Sequence, residues 1–443
     1  MRSNVAFEIP DQLIVAVADG GGRGGIFVEA FRKSPCVKKI YCFPGRDGWR
    51  SGPDDERVQC FLKIKAEQAR EIVDKCKDLG VNLILAGQEA FLAAGGADMA
   101  REAGIAVVGC GRMEAQLETS KIYAKRFFRD NEIPTADFDE ANNPEEARLI
   151  VRYKFLIQKV KKIVLKADGL AEGKGVIIAD SLEKAEEGIC DLMEEGGRIK
   201  KVYPNAGNKL VIEEYLGGPK SRETSATFFT DGDHLVRMLD GVDHKQRFDG
   251  DEGDMTGGMG LIAPDPKQDA SIDEQIWWIA QRIVERSKFQ GILYLGLMVV
   301  DGKVYVLEVN VRFGAPEAQG IIPLLASDFA ELCWTTATGQ LSTIEVKWLE
   351  GKVSACITLV EGIYPAQITA EHKGKPISGL AQAAEHDVIV VHAGTRLENG
   401  VYVTDGGRVI DIIAVRDDLA TALRDAYAVV DIIKWDGVDC RRD

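Results

Sequence analysis

Val164-Leu165-Lys166-Ala167-Asp168-Gly169-Leu170-Ala171-Glu172-Gly173-Lys174-Gly175-Val176 is the most informative stretch of the chain. An apolar strand ends in a lysine, a glycine-rich turn carries a second lysine, and a strand resumes at Val176. Glycines let backbone N–H groups approach phosphate oxygens closely, and lysines add point charges. A Walker loop does not fit: the Gly169–Gly173 interval is one residue short, Gly175 follows Lys174 where Ser or Thr is needed, and a strand rather than a helix comes next. Alone, a glycine hairpin with two lysines is more often just a turn.

Two strands farther along give it company. Leu210-Val211-Ile212-Glu213-Glu214-Tyr215-Leu216 runs into paired carboxylates, which are costly at the end of a buried strand unless they serve a ligand or a cap. Val304-Tyr305-Val306-Leu307-Glu308-Val309-Asn310-Val311-Arg312 places Glu308, Asn310 and Arg312 on one face by a period of two. A carboxylate and an amide two residues apart suit Mg²⁺, which takes few protein ligands and leaves its other positions to phosphate and water. An arginine beside them suits a transferring phosphoryl group. The competing reading of this strand is a solvent-facing ion pair.

Upstream, the first hundred residues alternate strand and helix. Leu13–Ala18, Lys39–Phe43, Val81–Ala86 and Ile105–Val108 read as strands, Gly20–Gly25 as a turn, and Ile26–Lys33 and Ala66–Leu79 as helices. That βαβ order predicts a parallel sheet with ligands at its C-terminal strand ends, so Gly20–Gly25, Pro44–Gly48 and Gly87–Glu89 should line one crevice. Downstream, short strands beyond Leu341 and a last helix at Leu419–Val430 predict a small β-rich unit. The glycine run at 20–25 is a weak dinucleotide signal, because the strand after it ends at Phe43-Pro44 without the acid a ribose needs.

Composition narrows the partners. With 55 Lys+Arg against 70 Asp+Glu, 443 residues carry a formal charge of −15, which repels nucleic acid over the general surface. The nearest basic cluster, Lys159–Lys166, runs straight into a strand. No stretch matches a membrane span or a signal core. Nine cysteines without a Cys-x-x-Cys pair read as reduced thiols of a cytoplasmic protein, and five histidines disfavour a histidine metal site. Asp249, Asp251, Glu252 and Asp254 resemble a calcium loop in composition but lack its closing Glu, and Trp277-Trp278 reads as packing.

Taken in order, Lys121, Lys166, the glycine turn, Glu213-Glu214 and Glu308-x-Asn310-x-Arg312 resemble the ATP-grasp ligases. More closely, nearly the whole chain resembles the phosphoribosylamine–glycine ligase family. The matching segments are AQLETSK (115–121), LKADGLAEGKG (165–175), VIEEYL (211–216), DHKQRFDGDEGDMTGGMG (243–260), LEVNVRFGAPEAQG (307–320), HAGT (392–395) and GGRV (406–409). The resemblance implies an α/β protein: an N-terminal parallel-sheet domain over 1–120, a linker helix over 121–162, the ATP-grasp small subdomain over 163–225 and large subdomain over 226–337, and a β-rich C-terminal domain over 338–443.

It also implies roles. ATP and Mg²⁺ (or Mn²⁺) would be the cofactors, the substrates small molecules, and the assembly a monomer or homodimer, without nucleic acid or membrane. Lys121 and Lys166 would meet ATP phosphates under a flap of Gly173, Lys174 and Gly175. Glu213, Glu214, Tyr215, Leu216 and Glu223 would take the adenine side, and Glu308 and Asn310 the metal. Arg312 and Lys245 would serve the acyl phosphate. Gly22, Gly45, Arg46, Gly48, Glu89, Asp98, Gly257, Gly258, Met259 and Gly260 would form the acceptor side.

Departures from the family pattern gather on that acceptor side. Gly24-Gly25 replace Glu-His, Arg46 replaces Asn, Gln88 and Phe91 replace prolines, Asp254-Met255 replace Pro-Asn, and Ala315 replaces Asp. A catalytically silent relative would have no physical need to keep both the phosphate lysines and the metal pair. The open alternative is an ATP-grasp ligase joining a different amino acid or amine.

Overall fold

In the computed structural model the chain is described over residues 9–52, 54–171, 175–266 and 269–443. Its first sheet is wholly parallel, in the order Val58–Cys60, Val37–Cys42, Leu13–Ala18, Leu83–Ala86, Ala106–Val108. The strands are apolar on both faces because helices cover both. Gly20–Gly25 is only partly the predicted turn: Gly20 and Gly21 precede a helix that spans Gly22–Lys33 and takes Gly22, Gly24 and Gly25 into its first turn. Close packing explains it. A Cβ on Gly24 would stand 2.6 Å from the Trp49 ring, and one on Gly25 would stand 2.5 Å from Val391, so the helix end slides under both. The second helix begins at Ala69, three residues after the expected start at Ala66.

The small subdomain is a four-stranded antiparallel sheet, Phe138–Ala141, Leu210–Glu214, Ile163–Ala167 and Val176–Ala179, backed by the helices Pro144–Arg152 and Leu182–Met193. It closes a core of its own around Leu165, Ile189, Leu192 and Ile212. The large subdomain sheet runs Leu235–Arg237, Ser221–Asp231, Gln290–Val300, Lys303–Asn310. A third sheet joins Val242–Asp243 and Gly260–Ala263 to Val353–Glu361, Arg408–Arg416 and Ile389–His392, so chain from both sides of residue 338 builds it. The last helix spans Leu419–Val430, as the sequence predicts.

The N-terminal sheet and the large-subdomain sheet share apolar cores. One holds Ile84, Phe91, Phe228 and Leu293, and another packs Phe27 and Phe31 of the first helix against Phe313 and Phe329. Trp277 meets Phe228 edge-on in that core, while its neighbour Trp278 is exposed. Among the described residues no helix is long and apolar enough to cross a membrane, and all nine cysteines are free thiols.

Candidate active site

The strand Lys303–Asn310 forms the floor of the site, and its register is not a simple alternation. Gly296 faces Glu308 but Leu297 faces Val306, so Leu307 bulges out of the ladder. An unbroken period of two would have put Val304 and Val306 on the face of Glu308. With the bulge, Val304, Val306, Val309 and Val311 all turn into the core, and Glu308 is accessible on the other side. Gly296 makes room for it, since a Cβ there would lie 2.8 Å from the Glu308 Cγ. Asn310 Nδ2 stands 3.4 Å from Glu308 Oε1.

The bulge also frees the Leu307 carbonyl, which accepts from Lys166 Nζ at 3.1 Å. The glycine-hairpin strand and the strand of Glu308, linked by residues 141 positions apart, therefore meet. Glu213 Oε2 receives both Lys166 Nζ at 2.9 Å and Lys125 Nζ at 3.2 Å, and all three side chains are buried. Burial pushes Lys125 down to about 8, against the pull of Glu213. Glu213 is thus turned toward the lysines, with Oε1 lacking a hydrogen-bond partner, while Glu214 is exposed and Tyr215 and Leu216 are half-buried at the strand end. Asp168, inside the decisive stretch, accepts from Ser120 Oγ at 3.0 Å and from the Ile122 amide at 3.1 Å. That ties the hairpin to the start of the helix Lys121–Asp130 and places Lys121 at the site. Gly175 follows the hairpin; Gly173 and Lys174 lie outside the described residues.

Charge around Glu308 is strongly cationic. Burial works to raise its carboxyl, but Lys245, Lys121, Lys166 and Arg312 together hold it below the usual range. Asp243 fares oppositely, pushed up to about 8 by burial and then by Glu317, with Lys245 and Arg408 opposing and exposed Glu223 adding to the rise. Lys245 is held well above the usual lysine range by Tyr294, against burial, and further by Asp243, Glu308 and Glu317. One cleft thus keeps Glu308 ionised and Asp243 protonated at neutral pH. A carboxylate and an amide among four cationic side chains fit a divalent cation that takes its remaining ligands from phosphate and water. Among the described residues no group of three or more His, Cys, Asp or Glu forms a self-sufficient metal cage.

Arg312 lies beyond the strand end, with Nη2 2.8 Å from Glu118 Oε1 and Nε 3.3 Å from Glu89 Oε2. The neighbouring N-terminal loop is set by Asp19, which takes Arg23 Nε at 2.7 Å, while Arg23 Nη1 donates to Phe313 O at 2.9 Å. Gly22 abuts Asp411 and Gln319, Gly48 abuts the His392 ring, and Gly45 (φ +69°) stands over Cys42 and Cys60. Arg46 is already engaged, with Nε on Gly20 O at 2.7 Å and Nη1 on Asp405 at 3.0 Å. Asp98 accepts from the Arg112 amide at 2.9 Å and lies 4.0 Å from Arg101 Nη1. Gly257 and Gly258 lie against Arg408 and Asp243, and Arg408 Nη1 donates to the carbonyls of Gly257 and Ala315. Met259 is buried just before the third sheet, which starts on this segment at Gly260, paired with Ile357.

Sequence reasoning passed over Lys125, Glu118, Asp168 and Arg408. Each lay within or near a quoted motif: Lys125 one helical turn after Lys121, Glu118 in AQLETSK, Asp168 in the hairpin, Arg408 in GGRV.

Three family models match the chain: the phosphoribosylglycinamide synthetase N domain over residues 13–118, its ATP-grasp (A) domain over 119–318, and its C domain over 354–443. A phosphoribosylamine–glycine ligase of Clostridium acetobutylicum is 35% identical over 437 residues, covering 97% of this chain and 98% of that protein. The human trifunctional purine biosynthetic protein adenosine-3 is 36% identical over 435 residues, which is 97% of this chain and 41% of the larger protein. Among solved structures, the phosphoribosylamine–glycine ligase of Thermotoga maritima superposes with a TM-score of 0.80 at 28% identity, covering 97% of this chain and all of that one. A biotin carboxylase domain from Hydrogenobacter thermophilus shares the fold, with a TM-score of 0.70 at 14% identity over 98% of this chain and 92% of its own.

Proposed function

This chain belongs to the phosphoribosylglycinamide synthetase family of ATP-grasp ligases, and from that premise we propose how its residues divide the work. The reaction is ATP-dependent ligation of glycine to phosphoribosylamine in purine biosynthesis. Glycine's carboxylate takes the γ-phosphoryl of ATP, giving glycyl phosphate and ADP. The amine then attacks the acyl carbon, forming the amide and releasing phosphate.

Phosphoryl transfer asks mainly for alignment and charge neutralisation. Lys121 and Lys166 bind ATP phosphates, and Lys166 is positioned in advance by Glu213 and Leu307 O. Glu213 therefore acts on the nucleotide through Lys166, while the strand end at Glu214, Tyr215 and Leu216, with Glu223, takes the adenine side. Glu308 and Asn310 hold Mg²⁺ or Mn²⁺, which neutralises phosphate charge when bound. Arg312 steadies the acyl phosphate, and Lys245 adds a permanent positive charge beside it. Gly22, Gly45, Arg46, Gly48, Glu89, Asp98 and Gly257–Gly260 form the acceptor side. The protein acts in the cytoplasm on small molecules, as a monomer or homodimer.

The observation that carries this reading is the meeting of Lys166 with the strand of Glu308. Its test is phosphate release from ATP, Mg²⁺ and glycine, with and without freshly generated phosphoribosylamine. Turnover in the wild type should need both substrates, and Glu308→Gln should lower it by at least about a hundredfold, the scale of losing one transition-state charge contact, with the fold intact by circular dichroism. Full activity in Glu308→Gln would remove the metal assignment, and turnover with another amino acid in place of glycine would redirect the substrate assignment.

A further inference from the structure

The two carboxylates on Arg312 hold it differently. Glu118 is buried and gripped at both oxygens by the same strand end: Oε1 by Arg312 Nη2 at 2.8 Å, Oε2 by the Val311 amide at 2.7 Å. Glu89 opens the short helix Glu89–Ala93 that follows the strand Leu83–Ala86 of the N-terminal sheet, its side chain 24% accessible. Its contact, Nε to Oε2 at 3.3 Å, is long for a charge-assisted hydrogen bond. Arg23, another cation near Glu89, is committed to Asp19 and to Phe313 O. Arg312 Nη1 donates to its own neighbour, Phe313 O, at 3.2 Å. Nε is thus the guanidinium position whose partner is accessible and loosely held.

We propose that Glu89 is an exchangeable partner of Arg312, leaving it for the amine of the acceptor, and that Glu118 is the positioning residue that keeps Arg312 in place when Glu89 leaves. The inference rests on the reading that Arg312 steadies the acyl phosphate. Before the acceptor arrives, Glu89 occupies the Nε–H and puts a negative charge where a phosphoryl oxygen must come. When the amine arrives, its N–H groups draw the Glu89 carboxylate, and Nε–H turns to the acyl phosphate oxygen. No bond is made or broken in this exchange; hydrogen-bond partners swap. The consequence is restraint: ATP and glycine without the amine face an arginine that is half engaged, so unproductive acyl phosphate formation is suppressed.

The experiment measures glycine-dependent ADP release with and without phosphoribosylamine in four variants. Glu89→Gln should raise amine-independent release about fivefold, the worth of about one hydrogen bond, while raising the KM for phosphoribosylamine. Glu89→Asp, which is too short to keep the contact, should move both readouts the same way and serves if the first variant folds poorly. Glu118→Gln should lower kcat in both conditions and leave the amine KM nearly unchanged, a split that general loosening of the fold would not give. Arg312→Gln separates the two layers. If it retains amine-dependent turnover, the reading of Arg312 fails. If it is inactive while both Glu89 variants leave amine-independent release at or below wild type, the exchange alone is overturned.

Discussion

The two walls of the cleft are built on different physics. The small subdomain has its own apolar core and meets the floor through polar links: Lys166 on Leu307 O, and Asp168 on Ser120 and Ile122. The opposite wall is fused to the floor by shared hydrophobic cores, in which Phe27 stacks 5.7 Å from Phe329 and meets Phe313 edge-on at 6.3 Å. Charges follow the same division. On the side proposed to take the nucleotide, a single buried carboxylate is shared by two lysines, leaving one net positive charge. On the side proposed to take the acceptor, the cations are already paired, Arg23 with Asp19, Arg46 with Asp405 and Arg312 with Glu118 and Glu89. One wall is thus a separable unit with a spare charge, while the other is a packed seam whose cations are already paired.

The largest expected effect comes from removing the carboxylate that the two lysines share. Glu213→Gln leaves Lys125 and Lys166 buried together without a counter-charge, and breaking a buried ion pair from one side costs about 3–5 kcal/mol. Because the small subdomain closes its own core, the loss should appear as an earlier, separate unfolding step in urea, with proteolytic cuts confined to residues 138–214, and as weakened ATP binding. A single cooperative transition shifted as a whole would break the contrast between the walls.

A smaller effect is expected at the seam. Arg46 and Asp405 are each about a quarter exposed, so their ion pair contributes at most about 1 kcal/mol to stability. Arg46→Gln should therefore leave the thermal midpoint nearly unchanged while raising the KM for phosphoribosylamine by about tenfold, the worth of one hydrogen bond to a charged group. A change in stability with no change in KM would make Arg46 a strut between the N-terminal and C-terminal parts, with no part in binding phosphate.

The contrast was only partly legible in the sequence. Alternating apolar runs and glycine turns reveal the parallel sheet, because buried strands leave a length and composition signal. The Lys166, Glu308 and Asn310 positions stand out for a similar reason: charge at the end of an apolar strand is costly without a purpose. What the sequence hides is pairing. The bulge at Leu307 depends on Gly296, a residue of the neighbouring strand, and no local pattern announces it. The engagement of Arg46 with Asp405, 359 positions away, is likewise a tertiary fact. The first glycine run misleads because a turn and a helix end that must pass under Trp49 and Val391 call for the same small residues.

The subtlest prediction concerns two carboxylates that feel the same lysine. Lys245 lowers both Glu308 and Asp243, yet four cations outweigh burial at Glu308, whereas burial and Glu317 prevail at Asp243. In the unfolded chain Asp243 ionises near its ordinary value of 3.8, and in the native state it keeps its proton up to about 8. Between those values the unfolded state releases a proton that the native state retains, so the group's contribution to stability is fully present below pH 3.8 and is lost as pH rises to about 8. Asp243→Asn removes this titration. The variant should show a flatter dependence of thermal midpoint on pH across that window and, near pH 8, a midpoint above that of the wild type. An unchanged slope would mean that Asp243 is ionised in the folded protein, and the cleft would then hold two carboxylates of one kind rather than an ionised Glu308 facing a protonated Asp243.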